Sequence, residues 1–275
     1  MDTALHPFRF GVVVGGPSDG AGWLEQARRV ESLGYASLLL PDTLFTPSPF
    51  VALASAAAVT TTLRVGTWVL AAPLRMPGAV VRDTVTLHEL SGGRFELGLG
   101  AGRPGGERDA PPLGVAWGSP GERVDRVEET LAAVRERLGS AVPLVLAGAG
   151  PRMLGLAGAY AASLALPVPP LATVAEVADL ATRARTAAGE RGEDLELGLQ
   201  LVGIGDTVSP YIARQLQVTG ADLRERGAAS WLPSDPTAAV EALHALRAAT
   251  GVSYLSLPIE LAETLAPMAA GLAGA

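Results

Sequence analysis

Short apolar runs alternate with amphipathic stretches along the chain, a pattern that predicts strands followed by helices. An apolar run over 8–14 precedes a stretch, 22–33, in which Leu24, Ala27 and Val30 fall on one helical face. We predict strands at 8–14, 36–40, 63–70, 94–99, 143–147, 163–166, 195–204 and 252–257. We predict helices at about 22–33, 49–59, 78–90, 119–138, 151–160, 173–188, 209–226, 235–249 and 260–272.

Eight strand–helix units predict a (β/α)8 TIM barrel, because an open doubly wound sheet usually stops at about six strands. No long linker rich in Pro, Gly or Ser is present, so we expect residues 1–275 to form one barrel domain. Ser119, Pro120 and Glu122 have the spacing of a capping box and predict the start of one helix. A loop of about twenty residues precedes it, and loops of that length are often functional.

Composition excludes several kinds of chemistry. The sequence has no Cys, Lys or Asn, which excludes thiolate metal sites, lysine Schiff bases and the usual phosphate-loop lysine. Its three histidines, His6, His88 and His244, do not fall at predicted strand ends. A metal centre and a Ser-His-Asp site are therefore disfavoured, and no metal is expected.

Charge and hydropathy restrict the partners. A net charge of −7 disfavours nucleic-acid binding, no apolar run is long enough to span a membrane, and the first ten residues lack a signal-peptide pattern. We expect a small-molecule substrate, no nucleic-acid or membrane partner, and a cytoplasmic location.

Two glycine-rich segments follow predicted strands. Gly100–Gly105 has G-x-G-x-x-G spacing, but the prolines after it are incompatible with the helix that a Rossmann site needs. Its small residues either let a flat ring approach the backbone or form a tight exit turn. Gly148–Arg152 leads directly into a helix, whose free N–H groups and Arg152 could hold a phosphate; an ordinary turn with an exposed arginine is the alternative.

Three carboxylates, Asp42, Glu107 and Asp109, lie near predicted strand ends. Asp42 directly follows a strand and is the best-placed base, with a capping role as the alternative. Trp68 is expected in the core, and Trp117, in the long loop, is a candidate lid residue. The charged run 123–129 is expected to be a solvated face of ion pairs.

Four segments resemble the bacterial-luciferase-like superfamily of deazaflavin- and flavin-dependent oxidoreductases, above all its actinobacterial branch that depends on coenzyme F420. They are LRVGTWVLAAPLRMP (63–77), LSGGRFELGLGAGRPGGE (90–107), GSPGERVDRVEETLAAVRE (118–136) and LVLAGAGPRMLGLAG (144–158). The resemblance implies a luciferase-like TIM barrel with shortened insertions that holds coenzyme F420, or alternatively FMN, at its mouth. It also implies a homodimer.

The resemblance further implies functional residues. A non-prolyl cis peptide behind the coenzyme ring corresponds to the Trp68–Val69 bond. The implied coenzyme contacts are Trp68, Val69, Ala101, Gly102, Arg103, Gly148, Ala149, Gly150, Pro151, Arg152 and Met153. The candidates for catalysis are Asp42, Thr43 and Glu107.

Three positions depart from the family pattern. Thr43 replaces a histidine that supports hydride transfer, Arg103 replaces a glutamate of the sugar-phosphate dehydrogenase members, and Ala162 replaces an aspartate. Without these groups alcohol dehydrogenation is disfavoured, whereas a reductase needs a hydride and one proton from water or substrate. We expect reduced coenzyme F420 to transfer hydride to an unsaturated or carbonyl-type small molecule. The alternatives are an FMN-dependent luciferase-like monooxygenase and a barrel that has lost redox cofactor use and serves as a binding protein.

Overall fold

The structure is a computed structural model that describes residues 6–15 and 19–274, without the side chains of residues 215 and 216. Half of the segment considered for a signal peptide, residues 1–5, lies outside the described residues. The strands are β1 (Arg9–Val13), β2 (Ser37–Leu40), β3 (Arg64–Thr67), β4 (Leu70–Ala71), β5 (Phe95–Gly100), β6 (Leu144–Ala147), β7 (Ser163–Ala165), β8 (Glu196–Gln200), β9 (Gly203–Ile204), β10 (Thr207–Val208), β11 (Trp231–Leu232) and β12 (Val252–Pro258).

A closed parallel barrel forms from these strands and confirms the predicted fold class. The order around the sheet is β3, β2, β1, β12, β8, β7, β6, β5 and β4, and β3 also pairs with β5, which closes the ring. Because β3 and β4 together occupy one place, the ring has eight strand positions.

Helices follow the barrel strands and cover them from outside. They are α1 (Gly20–Ser32), α2 (Pro49–Ala58), α3 (Pro77–Leu90), α4 (Pro120–Leu138), α5 (Pro151–Tyr160), α6 (Val174–Ala188), α7 (Pro210–Leu216), α8 (Gly220–Arg226), α9 (Pro236–Thr250) and α10 (Ala262–Leu272). The capping box of α4 is confirmed, because Ser119 Oγ accepts from Glu122 N at 3.3 Å and Glu122 Oε2 accepts from Ser119 N at 2.7 Å. Of the helices described, none is long and apolar enough to cross a bilayer.

Side chains alternate between the barrel interior and the helix layer along each strand. On β1, Phe10 and Val12 are buried in the apolar core, whereas Arg9 lies inside the barrel with its guanidinium over the Tyr254 ring. A Cβ atom at Gly11 would also meet Tyr254, 2.9 Å from its hydroxyl. The inward positions of the strands therefore decide what the barrel contains.

Three sequence predictions are wrong in detail. The third strand divides into β3 and β4 at a cis peptide, and the seventh ends at Gln200 rather than Ile204. Beyond Gln200 the chain leaves the barrel, and β9 joins β10 and β11 in a small separate sheet. The helix predicted over 209–226 is two helices, because Gln217 is left-handed with φ 53° and Thr219 caps a new start at α8.

Candidate functional site

A cavity of about 560 Å³ opens at the carboxyl ends of the barrel strands, where chemistry is expected in this fold. Its volume lies within the usual range of about 300–1,000 Å³ for small-molecule sites. The candidate residues that line it are Asp42, Thr43, Trp68, Val69, Ala101, Gly102, Arg103, Gly148 and Met153. Ala149, Gly150, Pro151, Arg152 and Glu107 are not among its lining residues, and Glu107 is exposed in a 3₁₀ turn (Gly106–Asp109).

The wall formed by β3 and β4 contains a cis peptide between Trp68 and Val69, at the bond that the resemblance identifies. Glycines on β5 make room for this wall, because a Cβ atom at Gly98 would lie 2.8 Å from Val69 Cγ1 and one at Gly100 3.0 Å from Val69 Cγ2. Trp68 lines the cavity rather than the core, with its ring edge-to-face on Tyr254 at 5.4 Å. The sequence pattern alone could not distinguish a place in the cavity wall from a place in the core, since both are apolar and inside the barrel.

Asp42 is held by three hydrogen bonds. Arg75 donates to both carboxylate oxygens, Nε to Oδ2 at 2.8 Å and Nη2 to Oδ1 at 2.6 Å, and the Ala71 amide donates to Oδ2 at 3.1 Å. Burial lowers the pKa of Arg75, but the hydrogen bond and charge of Asp42 outweigh it, so the pKa is raised. The sequence left Asp42 as a base or as a cap, and its bonds to Arg75 and Ala71 favour a different role, that of positioning β4.

Thr43, beside Asp42, also lies in the wall of the cavity. Its hydroxyl accepts from the Phe45 amide at 3.2 Å and lies 3.3 Å from Thr46 Oγ1. Thr43 therefore belongs to a short turn, at the position where the resemblance implies a histidine.

Arg103 and Trp117 form the edge of the mouth after β5. Arg103 Nη2 donates to the buried Asp109 carboxylate at 2.9 Å, so its charge has a partner. Trp117, predicted as a lid, instead packs on the backbone of Gly102, where a Cβ atom would overlap the indole ring. Arg123 covers the other side of that ring at 5.0 Å and donates from Nε to Ala101 O at 2.9 Å. This packing holds the segment after β5 in place.

The glycine loop between β6 and α5 is the candidate phosphate corner. Gly148 and Met153 line the cavity, and a Cβ atom at Gly148 would lie 2.7 Å from Met153 Cβ. Gly150 is the N-cap of α5 without a side-chain cap, and the space around its Cβ position is open. The amides of the first helical turn can therefore be satisfied by a ligand. Arg152 points elsewhere, since its Nη2 donates to Asp125 at 2.8 Å and Glu128 at 3.2 Å on α4.

Several lining residues escaped sequence reasoning. They come from the segment after β7, from the end of β8 and the segment after it, from α7 and from the residue before β11, and include Val168, Pro170, Gln200, Val202, Ile212 and Ser230. Gln200 had a usable signal, because it is a polar residue within an apolar strand run. Ile212 had none, since the sheet and helix that place it follow the unpredicted turn after Gln200.

Below the cavity, a charged network fills the barrel. Glu96 Oε1 accepts from Arg9 Nη1 at 2.6 Å and from Arg64 Nε at 2.5 Å, and Arg9 Nη2 donates to Glu196 at 2.7 Å. Tyr254 is fully buried above Arg9, and burial raises the pKa of its hydroxyl. The network closes the barrel beneath the site.

The histidines and acidic residues are not gathered at the mouth. In the part of the chain that the structure describes, none of His6, His88 and His244 lines the cavity. Across residues 6–15 and 19–274, no group of three His, Asp or Glu side chains could hold a metal ion.

The chain matches a family model, that of the luciferase-like monooxygenases, over residues 4–207. It is 29% identical over 205 residues to 4-hydroxyprotoasukamycin monooxygenase of Streptomyces nodosus subsp. asukaensis, an alignment that covers 63% of this chain and 55% of the relative. It is 36% identical over 106 residues to a phthiodiolone/phenolphthiodiolone dimycocerosates ketoreductase of Mycobacterium tuberculosis, covering 38% of this chain and 26% of the relative. The chain thus spans about half or less of the curated relatives that it matches.

A solved structure shares the whole fold. The coenzyme F420-dependent tetrahydromethanopterin reductase of Methanopyrus kandleri superposes with a TM-score of 0.74 at 14% sequence identity, over 94% of this chain and 97% of that one. At this identity the likeness shows the fold alone.

Proposed function

This chain belongs to the luciferase-like monooxygenase family, and from that premise we propose that it is an oxidoreductase that holds reduced coenzyme F420 and transfers a hydride to an unsaturated or carbonyl-type small molecule. The observation that carries the proposal is a cavity with an open glycine corner and, among the described residues, no free acid–base side chain in its wall. Its two charged lining residues, Asp42 and Arg103, are both paired with an opposite charge.

The residues present fit a flat, phosphorylated coenzyme. The Trp68–Val69 wall, together with Gly100, Ala101 and Gly102, lines the cavity with small and apolar groups that suit a flat ring, and the amino end of α5 offers N–H groups to a phosphate. We assign the ring wall to Trp68, Val69, Ala101 and Gly102, and the phosphate corner to Gly148, Ala149, Gly150, Pro151 and the backbone of Arg152 and Met153. Arg152 is assigned only through its amide, because its side chain pairs with α4.

The direction of the reaction follows from the side chains. When bound, the reduced coenzyme supplies the hydride. Alcohol oxidation would need a base at the substrate, and neither His nor an unpaired carboxylate lines the described cavity. Reduction instead takes its proton from water, so the apolar wall and Asp42, which fixes β4 through Ala71, act by orientation.

An FMN-dependent monooxygenase is the second candidate. The same corner would accept the phosphate of FMN, and one relative is named as a monooxygenase. Loss of redox function is the third possibility and corresponds to a protein that binds neither coenzyme. The homodimer, the single domain over 1–275 and the cytoplasmic location stay predictions.

Equilibrium titration with coenzyme F420 and with FMN, read by fluorescence, tests the proposal. We expect the wild-type protein to bind coenzyme F420 more tightly than FMN. Preference for FMN would favour the monooxygenase, and binding of neither would overturn the proposal.

Gly150→Asp, compared with Gly150→Asn, tests the phosphate corner. Gly150 has φ −73° and open space around it, so both side chains fit and both can cap α5. Only Asp adds a negative charge, and it should weaken coenzyme binding by at least about tenfold relative to Asn while thermal stability stays equal or rises. Equal affinity of the two variants would show that the phosphate lies elsewhere. Gly148 is a poorer target, because any side chain there meets Met153.

A further inference from the structure

We propose that Gln200 anchors the substrate and that the substrate is an uncharged, largely apolar molecule carrying a carbonyl oxygen that accepts a hydrogen bond from the Gln200 amide. The inference rests on the proposed function, since it names the substrate class of the same cavity. It is carried by what lines the half of the cavity away from the phosphate corner.

This far half of the cavity is formed by the segments after β7 and β8, by α7, and by Ser230. Its walls are apolar: Leu166, Pro167, Val168, Leu199, Val202 and Ile212. Among the described residues no ionisable side chain lines it, and burying an unpaired charge there would be costly. A charged substrate therefore has no partner in this half, whereas a hydrocarbon surface is well matched.

Of the side chains that the structure describes, two polar ones line the far half, and their hydrogen-bonding states differ. The Ser230 hydroxyl is engaged, because it donates to Pro170 O at 2.7 Å. The Gln200 amide makes no side-chain hydrogen bond to any described residue, although it is partly buried. Gln200 is thus the polar group of this half that is left to bind a ligand.

The position of Gln200 on β8 directs it to the reacting region. Along β8, Glu196, Gly198 and Gln200 share the inward face; Glu196 pairs with Arg9 below, while the other two line the cavity. In the order of the ring, β8 lies four strand positions from the wall of β3 and β4. Gln200 therefore faces the Trp68–Val69 wall across the mouth.

A second orphaned polar group stands beside Gln200. Ser256 is its register partner on β12, and the Ser256 hydroxyl is fully buried without a hydrogen-bond partner in the described residues. Leaving a buried hydroxyl without a partner is unfavourable, and this marks the sheet between β8 and β12 as short of hydrogen-bond partners. Ser256 is not among the described residues that line the cavity, so Gln200 is the group of this pair that a ligand in the far half can reach.

Hydride addition to a carbonyl or a conjugated enone fits this anchor. The hydride and its electron pair form a new C–H bond, the π pair moves to oxygen, and that oxygen takes a proton from water while the reduced deazaflavin is oxidised. Gln200 donates a hydrogen bond to the oxygen as negative charge develops there. Because an amide does not titrate near neutral pH, Gln200 stabilises this charge without supplying the proton.

Calorimetric binding of three cyclohexene-ring probes tests the assignment: cyclohex-2-en-1-one, cyclohexene and cyclohex-1-ene-1-carboxylate. Each is titrated into the cofactor-free protein and into the coenzyme complex. The wild-type protein should bind the enone at least about tenfold more tightly than the other two. Gln200→Met, similar in size but apolar, should weaken enone binding about tenfold and leave cyclohexene binding unchanged.

Gln200→Glu is the matched variant that keeps the shape and removes the donor. It should weaken enone binding at least as much as Gln200→Met, and coenzyme dissociation constants should stay within about twofold for both variants. Equal weakening of the enone and cyclohexene by Gln200→Met, tightest binding of the carboxylate, or no enone binding to the wild-type protein would each overturn the assignment. Failure of the proposed function is separate, because it would appear as absent coenzyme binding while the probe series still reports on Gln200.

Discussion

The two ends of the barrel interior use the same inward strand positions with opposite chemistry. On β5, Glu96 at the lower end is followed inward by Gly98 and Gly100 at the upper end; on β8, Glu196 is followed by Gly198. The lower side chains bridge strands through ion pairs, whereas Gly100 and Gly198 line the cavity and Gly98 makes room for the wall of β3 and β4. A single strand thus closes the barrel at one end and makes room for ligands at the other.

Burial explains why the lower end is held by charge rather than by packing alone. Glu96 is 3% exposed and lies between two guanidinium groups, so its charge is compensated within the barrel. Burial lowers the pKa of Arg9, but the nearby Tyr254, Glu96 and Glu196 more than reverse it. Such a network stabilises the protein only while every member is present.

Glu96→Gln should have the largest effect on stability. The amide keeps the shape but leaves Arg9 and Arg64 with less compensating charge, and we expect the free energy of unfolding to fall by about 3 kcal/mol. Urea denaturation measures it. Glu263→Gln, which breaks an exposed pair with Arg29, is the control and should cost much less stability, because solvent screens that pair. Equal losses of stability in the two variants would show that the buried network contributes no more than an exposed ion pair.

Asp42→Asn tests the upper end. Asn cannot accept the bidentate hydrogen bonds of Arg75 with a full charge, so we expect about 2 kcal/mol less stability and slower turnover. If Asp42 only positions β4, the pH profile of kcat keeps its shape. Loss of the acidic limb in Asp42→Asn, with Arg75→Gln as the comparison, would instead identify Asp42 as a base.

Glu31 is expected to have the smallest effect on stability. It lies near the lower end of the barrel, beside the residues that lead into β3. Burial raises the pKa of Glu31, but hydrogen bonds from the amides of Thr62, Leu63 and Thr61 outweigh it and lower the pKa from 4.5 to about 2. A lowered pKa stabilises the fold above the unfolded value, and this is lost as pH falls from about 4.5 to about 2.

Glu31→Gln removes this titration. The wild-type protein should be more stable than the variant by about 1 kcal/mol at pH 5, after allowing for solvent screening, and most of the difference should be lost by pH 2. Urea denaturation at both pH values measures it. A difference that does not depend on pH would contradict the assigned linkage.

Local signals predicted the parts of the fold that local chemistry controls. The run from Pro151 to Tyr160 is helical as predicted, and the capping box at Ser119 forms because its partners are three residues apart. The seventh strand was predicted too long, because an apolar run looks the same whether it continues in the barrel or leaves it for β9.

The sequence predicted which strand ends contribute to the candidate site, Asp42, Thr43 and Trp68 among them, but not how their side chains pair. The glycine loop before α5 could be identified from sequence, since small residues between a strand and a helix suit a ligand whatever surrounds them. The pairing of Asp42 with Arg75 and of Arg152 with Asp125 could not, because these partners lie about thirty residues apart. Those pairings decide which charges remain for chemistry.

The sequence by itself determined the eight strand–helix units, the absence of Cys and Lys chemistry, and the glycine corner, because each depends on residue type and spacing along the chain. Only the tertiary structure decided which inward-facing residues of different strands lie at the same level of the barrel. The closing of the ring places Gln200 across the mouth from Trp68, and the packing of β2 beside the segment after β4 pairs Asp42 with Arg75. Contacts between distant segments depend on strand register and barrel closure, which no local pattern contains.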